Sequence, residues 1–322
     1  MSDLRPEIRE FVRRAWPDVE PDELAGDAST RRFYRLRRGG ETAILMDYGA
    51  PFTGETDDMR LTSILRAAGL PAPRVVETLP NVGCLVLQDL GDRTLESAYM
   101  ESGSDSRDLL ARAVRLAGRV ARDGTAALLR SARSARPALD AERFRYEMDF
   151  FLEHYVGSLL GRADPPERFR SSLYRLADEA AATPHPVLCH RDFHSRNLML
   201  DDAGELWMVD VQDARRGPDS YDLASLLRDA YAEIDDNEIE PMIDLYLGVW
   251  GEQVERAAFV ERFRRVSAQR MIKALGTFGY QVGVLGRRQY LSAVPRTLDR
   301  LNLLLASRPS LTDLQEGGVF QT

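Results

Sequence analysis

Apolar and polar positions follow two different periods along this chain, and the change of period divides it. Residues 4–15 carry apolar side chains at helical spacing and predict an amphipathic opening helix. Residues 32–37 and 42–48 read as strands on either side of Arg38-Gly39-Gly40-Glu41, a hairpin turn. Met59, Leu61, Ile64, Leu65 and Ala68 predict a helix over 57–68, stopped by Gly69. Pro71 and Pro73 then lead into two further strands, 74–77 and 84–88. After Asp89-Leu90-Gly91-Asp92 the period becomes helical through most of 93–179, including 109–129 and 141–160, with a Ser- and Asp-rich loop at 101–107. A short strand at 187–189 and a hairpin of 198–200 with 206–209 interrupt that pattern, and helices return from 219. Gly204 closes the hairpin turn Asp201-Asp202-Ala203-Gly204, where positive φ is needed. The prediction is an α+β fold in two lobes. Residues 1–88 form a small β-rich lobe with one helix, 89–92 a hinge, and 93–322 a larger, mainly helical lobe. There is no internal repeat.

Composition narrows the classes. A chain of 322 residues with 44% hydrophobic and 29% charged positions is long enough for two lobes and an extensive core. No signal-like segment opens it and no apolar run approaches eighteen residues, so a cytoplasmic protein without a membrane partner is expected. Cys84 and Cys189 lie in apolar runs and read as reduced packing residues. The formal charge of −8, with no basic stretch interleaved with aromatics, argues against a nucleic-acid partner. Among 43 basic residues, Lys273 is the single lysine.

The densest chemistry is His190-Arg191-Asp192-Phe193-His194-Ser195-Arg196-Asn197, with Asp210 thirteen residues beyond the Asn at the end of an apolar run. Phosphoryl transfer from Mg-ATP needs a carboxylate near the nucleophile, and an amide oxygen and a second carboxylate for metal. Asp192, Asn197 and Asp210 supply them in that order, so ATP and Mg2+ are the expected cofactors; a turn cap is the bland reading of Asp192. Asp213 could assist a second ion or cap the next segment. His190 reads as a loop-holding residue, and His194 as a phosphate or substrate contact. Gly26-Asp27-Ala28-Ser29-Thr30-Arg31-Arg32 offers small residues for a phosphate loop, although the same run is also a plain turn.

Sheet plus helix, a hinge and a helical part carrying this loop resemble the protein-kinase-like architecture, and within it the aminoglycoside/choline phosphotransferase family. The chain most resembles that family's bacterial sugar kinases, which phosphorylate N-acetylmuramate and N-acetylglucosamine at C1 in cell-wall recycling. The matching stretches are 26–35, Ile44-Leu45-Met46-Asp47, 190–197, Val209-Asp210-Val211-Gln212-Asp213-Ala214, Gly217-Pro218, 221–227, and Gln269-Arg270 with Lys273 and Gly276. The resemblance implies Asp192 as catalytic base, Asn197 and Asp210 as metal ligands, and Asp222 as a brace for the catalytic loop. It further implies ATP contacts at Ser29, Thr30, Arg31, Arg32, Gln88 and Leu90, the last two through backbone groups at the adenine edge. Substrate contacts fall on His194, Glu147, Asp213 and Lys273. Glu147 and Lys273 also have plain readings, as a surface carboxylate and as one lysine surviving by chance.

One position departs from the pattern. Met46 stands where a kinase strand carries its phosphate-binding lysine, so Arg31 or Arg32 must supply that charge. Two further functions stay open: a kinase for another alcohol, of aminoglycoside or choline type, and a non-catalytic ATP-binding scaffold suggested by Met46. Gly217-Pro218 leads straight into a helix with no A-P-E segment, which disfavours a protein kinase. A monomer acting on a small sugar is expected.

Overall fold

A computed structural model describes residues 4–24, 31–101, 106–131, 138–162, 165–307, 314 and 318–320. It falls into two compact units, residues 1–93 with 199–212, and residues 94–198 with 213–322.

The first unit opens with helix α1 (Pro6–Ala15), whose first-turn proline suits a helix start. Strands β1 (Asp22–Leu24), β2 (Arg32–Arg38) and β3 (Glu41–Asp47) follow, then helix α2 (Asp57–Ala67) and strands β4 (Val75–Leu79) and β5 (Cys84–Gln88). Thr56 caps α2 by accepting from the Met59 N–H. The five strands form one antiparallel sheet in the order β1-β2-β3-β5-β4. Alternation puts Tyr34, Leu36, Ala43, Leu45, Cys84 and Val86 on one face, and Ile8, Phe11 and Val12 of α1 bury it. Arg5 fixes the helix start by pairing with Asp47 at 2.5 Å. The short β1 had no signal in the sequence, since three residues are too few to show a period.

The second unit begins with α3 (Leu95–Glu101). A long helix follows: α4 (Ser106–Arg119), a wide turn at Val120–Gly124, then α5 (Thr125–Arg130). Helix α6 (Ala141–Phe151) is capped by Asp140, continues as a wide-turn segment over Leu152–Leu159, and is followed by α7 (Glu167–Ala181). Strand β6 (Val187–Cys189) leads into the motif loop. Strands β7 (Leu198–Leu200) and β8 (Leu206–Met208) then make the expected hairpin, with Gly204 at φ +75°. Residues 199–212 were expected in the helical lobe but group with the first unit. Backbone bonds from Leu200 N–H to the Arg93 carbonyl and from Met208 N–H to the Pro71 carbonyl, both 2.8 Å, tie them there.

Strand β9 (Arg215–Gly217), also without a signal in the sequence, pairs antiparallel with β6, placing Arg215 opposite Cys189. Helices α8 (Tyr221–Leu227), α9 (Asp236–Trp250), α10 (Arg256–Gly279) and α11 (Ala293–Ala306) complete the unit. Helix α8 ends at Leu227. The chain there turns to let Asp229 accept from the backbone N–H groups of Ser195 and Tyr231. Helix α10 is the hub, packed on α6, α7, α8 and α11. Gly276 permits this approach: a Cβ there would stand 2.9 Å from the Phe151 Cα. Both cysteines are free and buried. Among the described residues no helix is long and apolar enough to cross a membrane.

Candidate active site

In the second unit the motif loop is pinned by its neighbours. The Asp222 carboxylate, presented by the first turn of α8, accepts from the His190 N–H at 2.6 Å and the Arg191 N–H at 3.0 Å. The His190 ring is buried edge-on against Phe193. Arg270 of α10 donates to the Arg191 carbonyl at 2.6 Å and lies over the Tyr221 ring at 4.4 Å. Farther along, α3 holds the loop through Glu96, whose N–H reaches the Ser195 carbonyl and whose carboxylate pairs with Arg196 at 2.8 Å. Arg191 itself has φ +80°, an uncommon conformation for a residue with a side chain and one that costs roughly 1–3 kcal/mol. The many braces keep that strain in place.

Asp192 emerges from this frame with 31% of its side chain exposed, and Lys273 donates to its Oδ1 at 3.0 Å. Burial pushes the Asp192 carboxyl up. Lys273 first, then Arg270, His194 and Arg191, override that and hold it well below the usual carboxylate range. Burial likewise works against the Lys273 ammonium, and Asp192 more than compensates. The lone lysine therefore sits on the candidate base. Asn197 donates its amide to the Asp192 carbonyl at 3.0 Å, which leaves its Oδ1 as the atom for a cation. His194 stands edge-on to Tyr231, and burial lowers its imidazole despite the nearby Asp229 and Asp192.

Glu147 is buried at 4% exposure, not a surface carboxylate as its plain reading had it. It accepts from Gln269 at 2.8 Å and lies 3.6 Å from Arg191 and 3.5 Å from Arg143. Helix α10 thus places Gln269, Arg270 and Lys273 within two turns, facing Glu147, the loop backbone and Asp192 in succession. Asp213 stands half exposed, 3.5 Å from Arg191.

The first unit holds Asp210, also at positive φ (+65°), with 38% of its side chain exposed. Its Oδ1 accepts from Gln212 at 2.9 Å and from Arg31 at 2.7 Å. The same Arg31 guanidinium donates to Asp58 of α2 at 2.8 Å and lies 3.8 Å from the Met46 sulfur. An arginine entering from just before β2 therefore brings its charge to Met46. Asp58 is in turn hydrogen-bonded by the Tyr48 hydroxyl at 2.7 Å. Burial raises the Asp58 carboxyl, with Arg31 the chief opposing influence. Arg32 points elsewhere, bonded to Glu23 at 2.9 and 3.0 Å. Ser29 and Thr30 lie outside the described residues.

The Gln88 N–H is donated to the Arg74 carbonyl at 2.9 Å, so that donor is committed within the unit; Leu90 is buried. Arg35, buried, ties the 89–92 connector to the sheet through Asp89 at 2.8 Å, Asp92 at 2.7 Å and the Gly91 carbonyl. Sequence reasoning missed Asp58, Tyr48, Arg35 and Asp229. The one available trace of Asp58 was a charged residue at the start of an otherwise ordinary amphipathic helix.

A five-stranded antiparallel sheet with its helices in one unit, and a mainly helical unit with this loop, define the two-lobed protein-kinase-like fold. Such a fold with Asp192 and Asn197 as placed is the framework of a small-molecule phosphotransferase. The chain belongs to the phosphotransferase enzyme family, which its residues 22–258 match. It is 29% identical to the N-acetylmuramate/N-acetylglucosamine kinase of Pseudomonas aeruginosa, over 97% of this chain and 91% of that protein. It is 30% identical to the protein of the same name from Neisseria meningitidis serogroup B, over 91% of this chain and 89% of that protein. Among solved structures, a choline/ethanolamine kinase family protein from Mesorhizobium loti aligns with a TM-score of 0.60 at 18% identity. That alignment covers 98% of this chain and 99% of the other, and bears on the fold alone. The chain is an ATP-dependent phosphotransferase.

Proposed function

We propose that this enzyme transfers the γ-phosphoryl group of ATP to the anomeric hydroxyl of N-acetylmuramate, N-acetylglucosamine or a related amino sugar, as part of peptidoglycan recycling. The observation that carries the reading is the Asp192–Lys273 contact inside a loop braced by Asp222 and Arg270. A sugar hydroxyl is not ionised near neutral pH, so it needs a fixed acceptor for its proton. Asp192 is that acceptor, kept anionic by Lys273 and its neighbours. The sugar comes from the two relatives' names, and the anomeric position from the Gly26-Asp27-Ala28-Ser29 and Asp210-Val211-Gln212-Asp213-Ala214 stretches.

The residues fit a hard cation. Asn197 keeps an amide oxygen free, and both bonds to Asp210 fall on Oδ1, leaving Oδ2. Asn197 and Asp210 are the residues that would hold Mg2+, which when bound neutralises charge on the phosphates. Arg31 supplies the phosphate-binding charge that Met46 cannot, and Asp58 positions it. His194, Glu147, Asp213 and Lys273 border the acceptor's place, Glu147 through Arg191 and Gln269. The adenine edge falls to the Gln88 carbonyl and the Leu90 backbone. We assign residues 1–88 to nucleotide binding and 93–322 to the acceptor. The same reading makes it a cytoplasmic monomer whose partner is a small sugar.

A panel of free sugars with Mg-ATP tests this. ADP should form with the N-acetylated amino sugars, and the product phosphate should be released by mild acid, as a 1-phosphate is. Asp192→Asn should lower kcat by about 10²–10⁴-fold. An acid-stable sugar phosphate would overturn the anomeric assignment, and equal turnover by wild type and Asp192→Asn would overturn the role of Asp192.

A further inference from the structure

Next to the candidate base, charges of one sign are in excess. Arg143 of α6, Arg191 of the motif loop and Arg215 of β9 gather around two carboxylates, Glu147 and Asp213; the third carboxylate acting on Arg191, Asp192, is already paired with Lys273. Arg191 lies 3.6 Å from Glu147 and 3.5 Å from Asp213, and Arg143 lies 3.5 Å from Glu147. None of these contacts is a close, aligned hydrogen bond. The Nε atoms of Arg143, Arg191 and Arg215 are all buried without a hydrogen-bond partner, and Arg191 as a whole is only 5% exposed. The Arg215 side chain makes no hydrogen bond or ion pair with any of the described residues. Burial, then the Arg191 and Arg143 charges, work against its ionisation.

Position excludes a purely peripheral role. Arg215 pairs in register with Cys189, and the chain runs from Cys189 through His190 and Arg191 directly to Asp192. The cluster is also reachable from solvent, since Asp213 is 49% and the Arg143 side chain 37% exposed. One buried and two half-buried guanidiniums with idle Nε donors, a net positive balance and a solvent-facing edge suit a planar anion that two N–H groups can grip together.

We propose that Arg215, with Arg191 and Arg143, is the seat of a carboxylate carried by the acceptor sugar. This rests on the sugar-kinase reading and deepens it. N-acetylmuramate bears a carboxylate on its lactyl ether, and N-acetylglucosamine is the same sugar without it. The cluster is then the element that tells the two apart.

The test compares kcat/KM for three acceptors: N-acetylmuramate, its primary amide at the lactyl carboxyl, and N-acetylglucosamine. With the wild-type enzyme the acid should exceed the amide by about tenfold or more, the worth of a charge-assisted hydrogen bond. In Arg215→Met the acid-to-amide ratio should collapse toward one, and Arg215→Lys should recover part of it. Equal use of acid and amide by the wild type overturns the proposal, and needs no variant to fold. An equal loss on all three sugars in Arg215→Met, with an unchanged ratio, also overturns it. Absence of ADP formation with every sugar in the wild type removes the sugar-kinase reading itself, and this inference with it.

Discussion

Arg31 in the first unit and Lys273 in the second each put a cation on a carboxylate of the candidate site, and they do so with different heads. Arg31 spans two carboxylates at once, Asp58 at 2.8 Å and Asp210 at 2.7 Å, using separate nitrogens of one planar fork. Lys273 makes one contact, 3.0 Å to a single oxygen of Asp192, in a space already bordered by Arg270 and Arg191. A guanidinium suits the first place because two acceptors diverge there. A compact ammonium suits the second because one oxygen is the target and the other must stay open. The comparison also shows that a charge need not come from its usual position. The first unit delivers it to Met46 from the residue preceding β2.

Breaking the Arg31 side of this comparison should have the largest effect. Arg31→Ala is expected to lower kcat by about 10²–10³-fold, the range for removing one donor from a site of developing phosphate charge. Arg31→Lys should recover little, because an ammonium cannot span Asp58 and Asp210 together. Met46→Lys in the Arg31→Ala background should restore a measurable fraction of the rate, since it returns a cation to the same place from β3. Steady-state rates at saturating ATP read all three. An Arg31→Ala rate within twofold of wild type would end the assignment.

The Lys273 side should respond more modestly and chiefly in its pH dependence. In the wild type Asp192 is held well below the usual carboxylate range, so any acid limb it gives to kcat/KM should lie below that range. Lys273→Met removes the foremost influence that lowers the Asp192 carboxyl and leaves only Arg270, His194 and Arg191 to oppose burial. The acid limb should therefore appear and move to higher pH by about one to three units. Lys273→Arg keeps the charge, so the limb should stay low while the rate falls about tenfold through misplacement. A pH–rate profile of Lys273→Met that overlays the wild type would show that the lysine is not the partner of the base.

What could be read in the sequence differs between the two sides for a physical reason. The motif loop, its hairpin and Lys273 were legible because function there is tied to fixed spacing along one stretch and to an odd residue in an arginine-rich chain. The long helices and the strands at 32–38, 41–47 and 84–88 were legible because each spans enough residues to show a period. The Arg31–Asp58–Tyr48 network was not, because it joins three separate segments through side chains whose types are common on any surface. The plain reading of Glu147 as a surface carboxylate failed for the same reason: helical period places a residue on a face but does not say what covers it. Only the approach of α10 at Gly276 shows that Gln269 covers it. The three-residue strands β1 and β9 were silent, and β9 carries Arg215.

The smallest effect should come from the outermost member of the Arg31 network, and it sharpens the contrast most finely. Tyr48→Phe removes the 2.7 Å hydrogen bond to Asp58 and the 3.1 Å contact to the Thr56 hydroxyl, while leaving the ring and its edge contact with Phe52. The site is partly buried, so the stability loss should be about 1 kcal/mol, read from a urea midpoint at unchanged slope. The Tyr48 hydrogen bond also helps keep the Asp58 carboxyl down against burial. Its loss should push that carboxyl up, so Asp58 releases Arg31 at a higher pH, and activity on the acid side should fall earlier than in wild type. At neutral pH the rate should change by only about two- to fivefold, because Asp210 still holds Arg31. Among the described residues Lys273 has no second carboxylate to hydrogen-bond. An acid-side shift in Tyr48→Phe as large as that of Lys273→Met would mean that Asp58, rather than Asp210, is what keeps Arg31 in place.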